Sequence, residues 1–174
     1  MLDLVPFPER VSDARPVSKP SHIAADGSLI MVDVGAKTAT ERTAVARAEI
    51  RLGAKAAAAV RDATLAKGDA LVAAQLAGIM AAKATATLIP LAHPIPLSSV
   101  DVTFSWNGDV LVVEARAHTV AQTGVEMEAM TAASVAALVV YDMTKAVDKG
   151  ISIERVRLIS KTGGKSGTWE SQTP

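Results

Sequence analysis

Cysteine is absent from the 174 residues. That excludes disulfides, iron–sulfur clusters and thiolate zinc sites, and it accords with a reducing compartment. Aromatic residues amount to only 3%, too few for the stacking platforms on which single-stranded nucleic acids are held. A core must therefore come from small aliphatic side chains packed closely. Lys and Arg number 18 against 18 Asp and Glu. A balance of zero argues against a general nucleic-acid binder or a membrane-surface protein. No apolar run reaches membrane length, and the N-terminus lacks a basic-then-apolar leader, so a cytoplasmic protein is expected.

What is present begins with MLDLVPFPERVSDARPVSKP, residues 1–20, which hold four of the eight prolines and show no period. They read as a flexible extension, leaving 21–174 as one domain. Ala25-Asp26-Gly27-Ser28 reads as a turn leading into a short strand over 29–34. TAVARAEIRL, 43–52, alternates apolar and polar as a half-buried strand does. Residues 54–65 and 69–84 read as two helices, with Gly68 stopping the first and Asp69 capping the second. Three prolines in LIPLAHPIPL, 88–97, rule out a helix interior or central strand. Two strands, 98–106 and 110–118, flank Asn107-Gly108-Asp109, a strong hairpin signal.

The long apolar helix TGVEMEAMTAASVAALVVYDMTKAVDK, 123–149, follows, with Thr123 as N-cap, Glu126 completing a capping box and Gly150 as the stop. It is expected to be buried on most of its surface. Residues 151–160 alternate as a last strand, and the tail KTGGKSGTWESQTP reads as glycine-rich loop. This order is that of an α+β ferredoxin-like sandwich, an antiparallel sheet with helices packed on one face.

No single residue settles the chemistry. Gly164-Lys165-Ser166 is not a phosphate-binding P-loop, because Ile159 stands where that motif needs glycine. The loop can still hold anions through its backbone N–H groups with Lys161 and Lys165. His93, in the proline-stiffened segment, reads equally as a packed histidine and as a general acid/base. His22 and His118 are isolated, and no metal site is expected. Asp142 and Lys145 share a helical face, which Lys149 extends; by themselves they read first as a structural ion pair. Glu126 and Glu128 point to different sides of their helix, and Lys67 is an ordinary loop lysine.

Taken together, MVDVGAKTATERTAVA (31–46), KGD (67–69), AGIMAAKATATLIPLAHPIPLSSVDV (77–102), the long helix with Gly150 (123–150) and LISKTGGKSG (158–167) resemble the cyclic pyranopterin monophosphate synthase family, the C protein of molybdenum cofactor biosynthesis. The resemblance implies rearrangement of 3′,8-cyclo-7,8-dihydro-GTP with release of pyrophosphate, a small-molecule substrate, no cofactor, and a homohexamer built as a trimer of dimers. It implies Asp142 as catalytic acid/base beside Lys67 and Lys145, with His93 in the same machinery. Leu91, Ala92, His93, Met127 and Glu128 match the substrate-contacting segments, Glu126 lies beside them, and Arg42, Lys161 and Lys165 suit the phosphates. Ala92 and Gln122 depart from the family pattern. The chemistry needs several proton transfers and no redox change, and a lysine whose pKa burial brings toward neutral suits them. Because one small domain cannot cover the long helix, Lys67 is expected to serve the Asp142 of a partner subunit. The competing reading is a ferredoxin-like module that binds a small ligand without turnover.

Overall fold

A computed structural model describes residues 22–24 and 26–172. The 1–20 extension lies outside the described residues. The described residues fall into two units, one up to residue 32 and one from residue 33 onward. In the first, Gly27 takes φ +86° and Ser28 N–H donates to Asp26 Oδ1 at 3.0 Å, which makes the expected turn. The strand expected over 29–34 does not form. A single bridge, Ile23 to Leu29, stands in its place, and the chain turns again at Val34–Lys37.

In the second unit the alternation of Thr40–Arg51 (β1) dictates the architecture. Ala44, Ala46, Ala48 and Ile50 are buried on one face, and Arg47 and Glu49 share the other. β1 pairs along its whole length with Val110–Ala121 (β3), and on its other side with Ser152–Thr162 (β4). Ser99–Asn107 (β2) borders β3, joined by the predicted hairpin whose Gly108 sits at φ +57°. Trp169–Glu170 (β5), a strand within what reads as loop, pairs with Ser160 and Lys161. The sheet runs β2-β3-β1-β4-β5 with every pair antiparallel. This is the ferredoxin-like α+β arrangement, with its helices on one face.

Those helices are Ala54–Arg61 (α1), Ala70–Lys83 (α2), the single turn Thr85–Leu88 (α3) and Glu126–Thr144 (α4). Asp69 caps α2 as its sequence predicts, its carboxylate accepting from Leu71 and Val72 N–H at 2.9 and 3.1 Å. α4 lies over β1, β3 and β4 through Ala129, Ala132, Ala133, Ala136 and Ala137. Gly78 brings α2 against α4: a Cβ there would stand 3.0 Å from the Ala132 carbonyl oxygen. Side chains this small let backbones approach, which is how a core with few rings reaches native density.

α4 is shorter than expected at both ends. Val125 occupies the N-cap with no side-chain hydrogen bond, so Thr123 is not the cap and Glu126 closes no capping box. The Glu126 carboxylate instead lies over Gly124 and reaches Lys161 at 2.9 Å. At the other end Lys145 is the C-cap, and Lys149 falls past the helix. Within the single chain α4 leaves Leu138 57% and Met127 42% exposed. No helix among the described residues is long and apolar enough to cross a membrane.

Candidate functional site

The Asp142 cluster, at the end of α4, is built from a turn and a helix terminus. Lys67 sits between α1 and α2, just before Gly68, whose φ of +97° lets the chain reverse. Its ammonium donates to Asp142 Oδ2 at 2.7 Å and to the Asp142 backbone carbonyl at 2.9 Å. Lys145 Nζ stands 2.6 Å from the other oxygen, Asp142 Oδ1. Each carboxylate oxygen thus faces its own cation. The hydrogen bond from Lys145 and then that from Lys67 push the Asp142 carboxyl down to about 2, and Asp142 in turn raises Lys145. At neutral pH the carboxylate is ionised and Lys145 keeps its proton.

Two expectations fail here. The cluster is not buried: the three side chains are 45%, 54% and 52% exposed, so Lys145 moves away from neutrality rather than toward it. Burial cannot lower an amine's pKa where water still reaches it and an anion touches it. And Lys67 reaches the Asp142 of its own chain.

At the start of α4 two further groups of predicted residues gather. His93 and Glu128 line a cleft of about 340 Å³, walled by Ala86, Pro94 and Pro96. Glu128 is 3% exposed, and burial raises its pKa. Arg42, Glu126, Lys161 and Lys165 line a second, larger pocket of about 590 Å³, together with Lys37 and Gln122. Arg42 is fixed by donating to the Ala121 and Gln122 carbonyls at 2.9 and 3.3 Å. The turn at Gly163-Gly164 can lie on the start of β1 because both glycines have positive φ and no Cβ to strike Glu41 or Arg42. Four cations, one of them paired with Glu126, and the N-terminus of α4, where no side chain provides a cap, give this pocket a chemistry able to hold an anion.

Leu91 and Ala92 are half-buried in the turn before His93, Met127 is exposed on α4, and none of the three lines either cavity. His118 Nε2 stands 3.1 Å from Glu41. Among the described residues no group of three or more metal-ligating side chains gathers. Sequence reasoning missed Lys37, Thr38 and Thr40 in the larger pocket. Their signal was position: they run directly into the strand that carries Arg42. Glu126 and Asp142 stand at opposite ends of α4, about 24 Å apart along its axis.

The sequence model of the MoaC family matches residues 31–164. The chain is 53% identical over 154 residues to a protein of Thermomicrobium roseum, covering 87% of this chain and 93% of that relative. It is 51% identical over 151 residues to one of Novosphingobium aromaticivorans, covering 87% and 96%, and 50% identical over 143 residues to one of Listeria welshimeri, covering 82% and 89%. Each of these relatives bears the name cyclic pyranopterin monophosphate synthase.

Proposed function

The chain belongs to the MoaC family, and on that premise we propose that it is a cyclic pyranopterin monophosphate synthase, a lyase of molybdenum cofactor biosynthesis. It converts 3′,8-cyclo-7,8-dihydro-GTP to cyclic pyranopterin monophosphate and pyrophosphate. The observation that carries the catalytic reading is the Lys67–Asp142–Lys145 cluster, in which one carboxylate holds two ammonium groups at 2.7 and 2.6 Å. Lys145 holds its proton, and Asp142 is the acceptor that orients both lysines. A lysine that gives its proton to a breaking ring bond becomes an amine, and the same group then takes a proton in the next step. One residue thus serves as acid and then base in a sequence of transfers without redox change. Closing the substrate in would exclude water and sharpen these transfers.

His93 and Glu128 hold the ring, while Arg42, Lys37, Lys161 and Lys165 receive the phosphates and stabilise departing pyrophosphate. Glu126 neutralises Lys161 until a phosphate replaces it. A nucleotide is far shorter than the roughly 24 Å between Glu126 and Asp142 along α4. One chain therefore cannot bring both ends of its own α4 to a single substrate. A working site combines the Asp142 cluster of one subunit with the cleft and pocket of another, which makes the protein a homo-oligomer, a dimer at least and a hexameric trimer of dimers on the family pattern. A soluble nucleotide derivative as substrate supports a cytoplasmic location.

Incubation with 3′,8-cyclo-7,8-dihydro-GTP tests this. Release of pyrophosphate together with a pterin that fluoresces after oxidation is the expected result. Binding without either product would make the protein a ligand-binding module instead.

A further inference from the structure

The smaller cleft holds one cation that the assigned chemistry does not use. Lys83, the last residue of α2, lines it together with Glu128. Lys83 makes no ion pair among the described residues, and neither does Glu128. The Glu128 side chain is almost wholly buried yet reaches the cleft. Glu128 and the exposed Lys83 line one small cavity and form no ion pair with each other.

We propose that Lys83 is a specificity-determining residue that donates a hydrogen bond to the carbonyl oxygen on the substrate's guanine-derived ring, while Glu128 accepts from the adjacent N–H groups. The proposal rests on the function inferred above. A guanine edge carries two N–H donors followed by a carbonyl acceptor. An acceptor carboxylate beside a donor ammonium is its complement, whereas an adenine edge would set an N–H donor against the ammonium and a ring-nitrogen acceptor against the carboxylate. Ala82, Ala86, Pro94 and Pro96 supply the apolar walls that a flat ring needs. Lys83 would touch neither the phosphates nor the Asp142 cluster. It works on binding and on ring choice.

The test is steady-state kinetics of the full-length protein with 3′,8-cyclo-7,8-dihydro-GTP, comparing Lys83→Met, Lys83→Arg and wild type at low salt and at 0.5 M salt, a level that screens long-range charge. Lys83→Met is expected to raise KM about tenfold or more with kcat within about threefold, as loss of a charged hydrogen bond does. Lys83→Arg should recover most of that loss, the defect should persist in high salt, and thermal unfolding should be unchanged. An unchanged KM, or a defect that salt removes, overturns the proposal by reducing Lys83 to a remote charge. A fall in kcat at unchanged KM overturns it by moving Lys83 to the chemistry. Failure of the wild type to turn over this substrate would instead sink the functional assignment itself.

Discussion

Two carboxylates at opposite ends of α4, Asp142 and Glu128, have surroundings that act in opposite directions. Asp142, at the C-terminal end, stands half in water between two ammonium groups and is held ionised far below the usual carboxylate range. Glu128, in the first turn, is buried, lacks a cation partner among the described residues, and is pushed toward its neutral form. The same helix therefore offers a fixed anion that organises proton donors at one end and an acceptor of variable charge at the other. Neither carboxylate's role follows from its residue type; each follows from what its neighbours do to its charge.

Removing the fixed anion gives the largest expected effect. Asp142→Asn keeps the shape and abolishes the orientation of both lysines, so turnover should fall at least about a hundredfold. Stability should barely change, because exposed ion pairs contribute little. Thermal unfolding beside a product assay checks both halves, and retention of a tenth of wild-type activity would refute the role.

Next is the separation of the two ends between subunits. Asp142→Asn mixed with His93→Ala, after subunit exchange verified by mass, should recover roughly a quarter of wild-type activity, because half the dimers are mixed and each has one intact site of two. Lys67→Ala mixed with Asp142→Asn should stay inactive, since both residues serve one chain's cluster. Recovery in the second mixture and none in the first would reverse the assignment of residues to ends.

Acid titration distinguishes the carboxylates directly. Glu128 takes up a proton at a higher pH than an ordinary glutamate, so KM should climb, at most about tenfold per pH unit, while pH is still above the usual carboxylate range. Glu128→Gln should flatten that limb. For stability the signs are opposite. The raised Glu128 favours the native state below its ordinary pKa and loses that contribution as pH rises through its folded value. Asp142, depressed from 3.8 to about 2, makes only a small contribution because solvent screens its exposed pairs, present above 3.8 and lost as pH falls toward 2. Urea unfolding of the two single variants across acid pH reads both slopes.

The smallest effect belongs to Lys165→Ala, which should raise KM a few-fold, with kcat nearly unchanged and the difference shrinking in salt, because Lys165 supplies charge to a phosphate from an exposed loop. A large loss of kcat would place it with the lysines of the other end.

Much of the fold was legible because burial leaves a period. The alternation in 43–52 announced β1, and Asn107-Gly108-Asp109 announced the hairpin. The far end of α4 was misread because no glycine or proline precedes Gly150. In the structure Thr144 ends the helix: its hydroxyl returns to the Val140 carbonyl at 2.6 Å, and Val147 and Asp148 close a turn on its backbone oxygen. Glu126 was misread for a related reason, since local capping competes with a lysine 35 residues away and here the distant partner prevails. The site's residue types were likewise readable, and so was the length of helix between Glu126 and Asp142. Which cation comes to which end was not: Lys67 meets Asp142 across 75 residues, a contact that only the completed fold supplies.

That β1 lies between β3 and β4 also sets when the nascent chain can mature. Thr43 pairs with Thr162, and Ala46 with Leu158, so the central strand waits for nearly the whole polypeptide before its second edge is closed. A ribosome still holding β4 in its exit tunnel presents a half-built sheet, β1 paired to β3 and bare on the other side. Such an edge invites pairing with another nascent chain. The β1 positions opposite β4 include Arg47, Glu49 and Arg51, and charged side chains along an open strand discourage that mispairing until the last strand arrives.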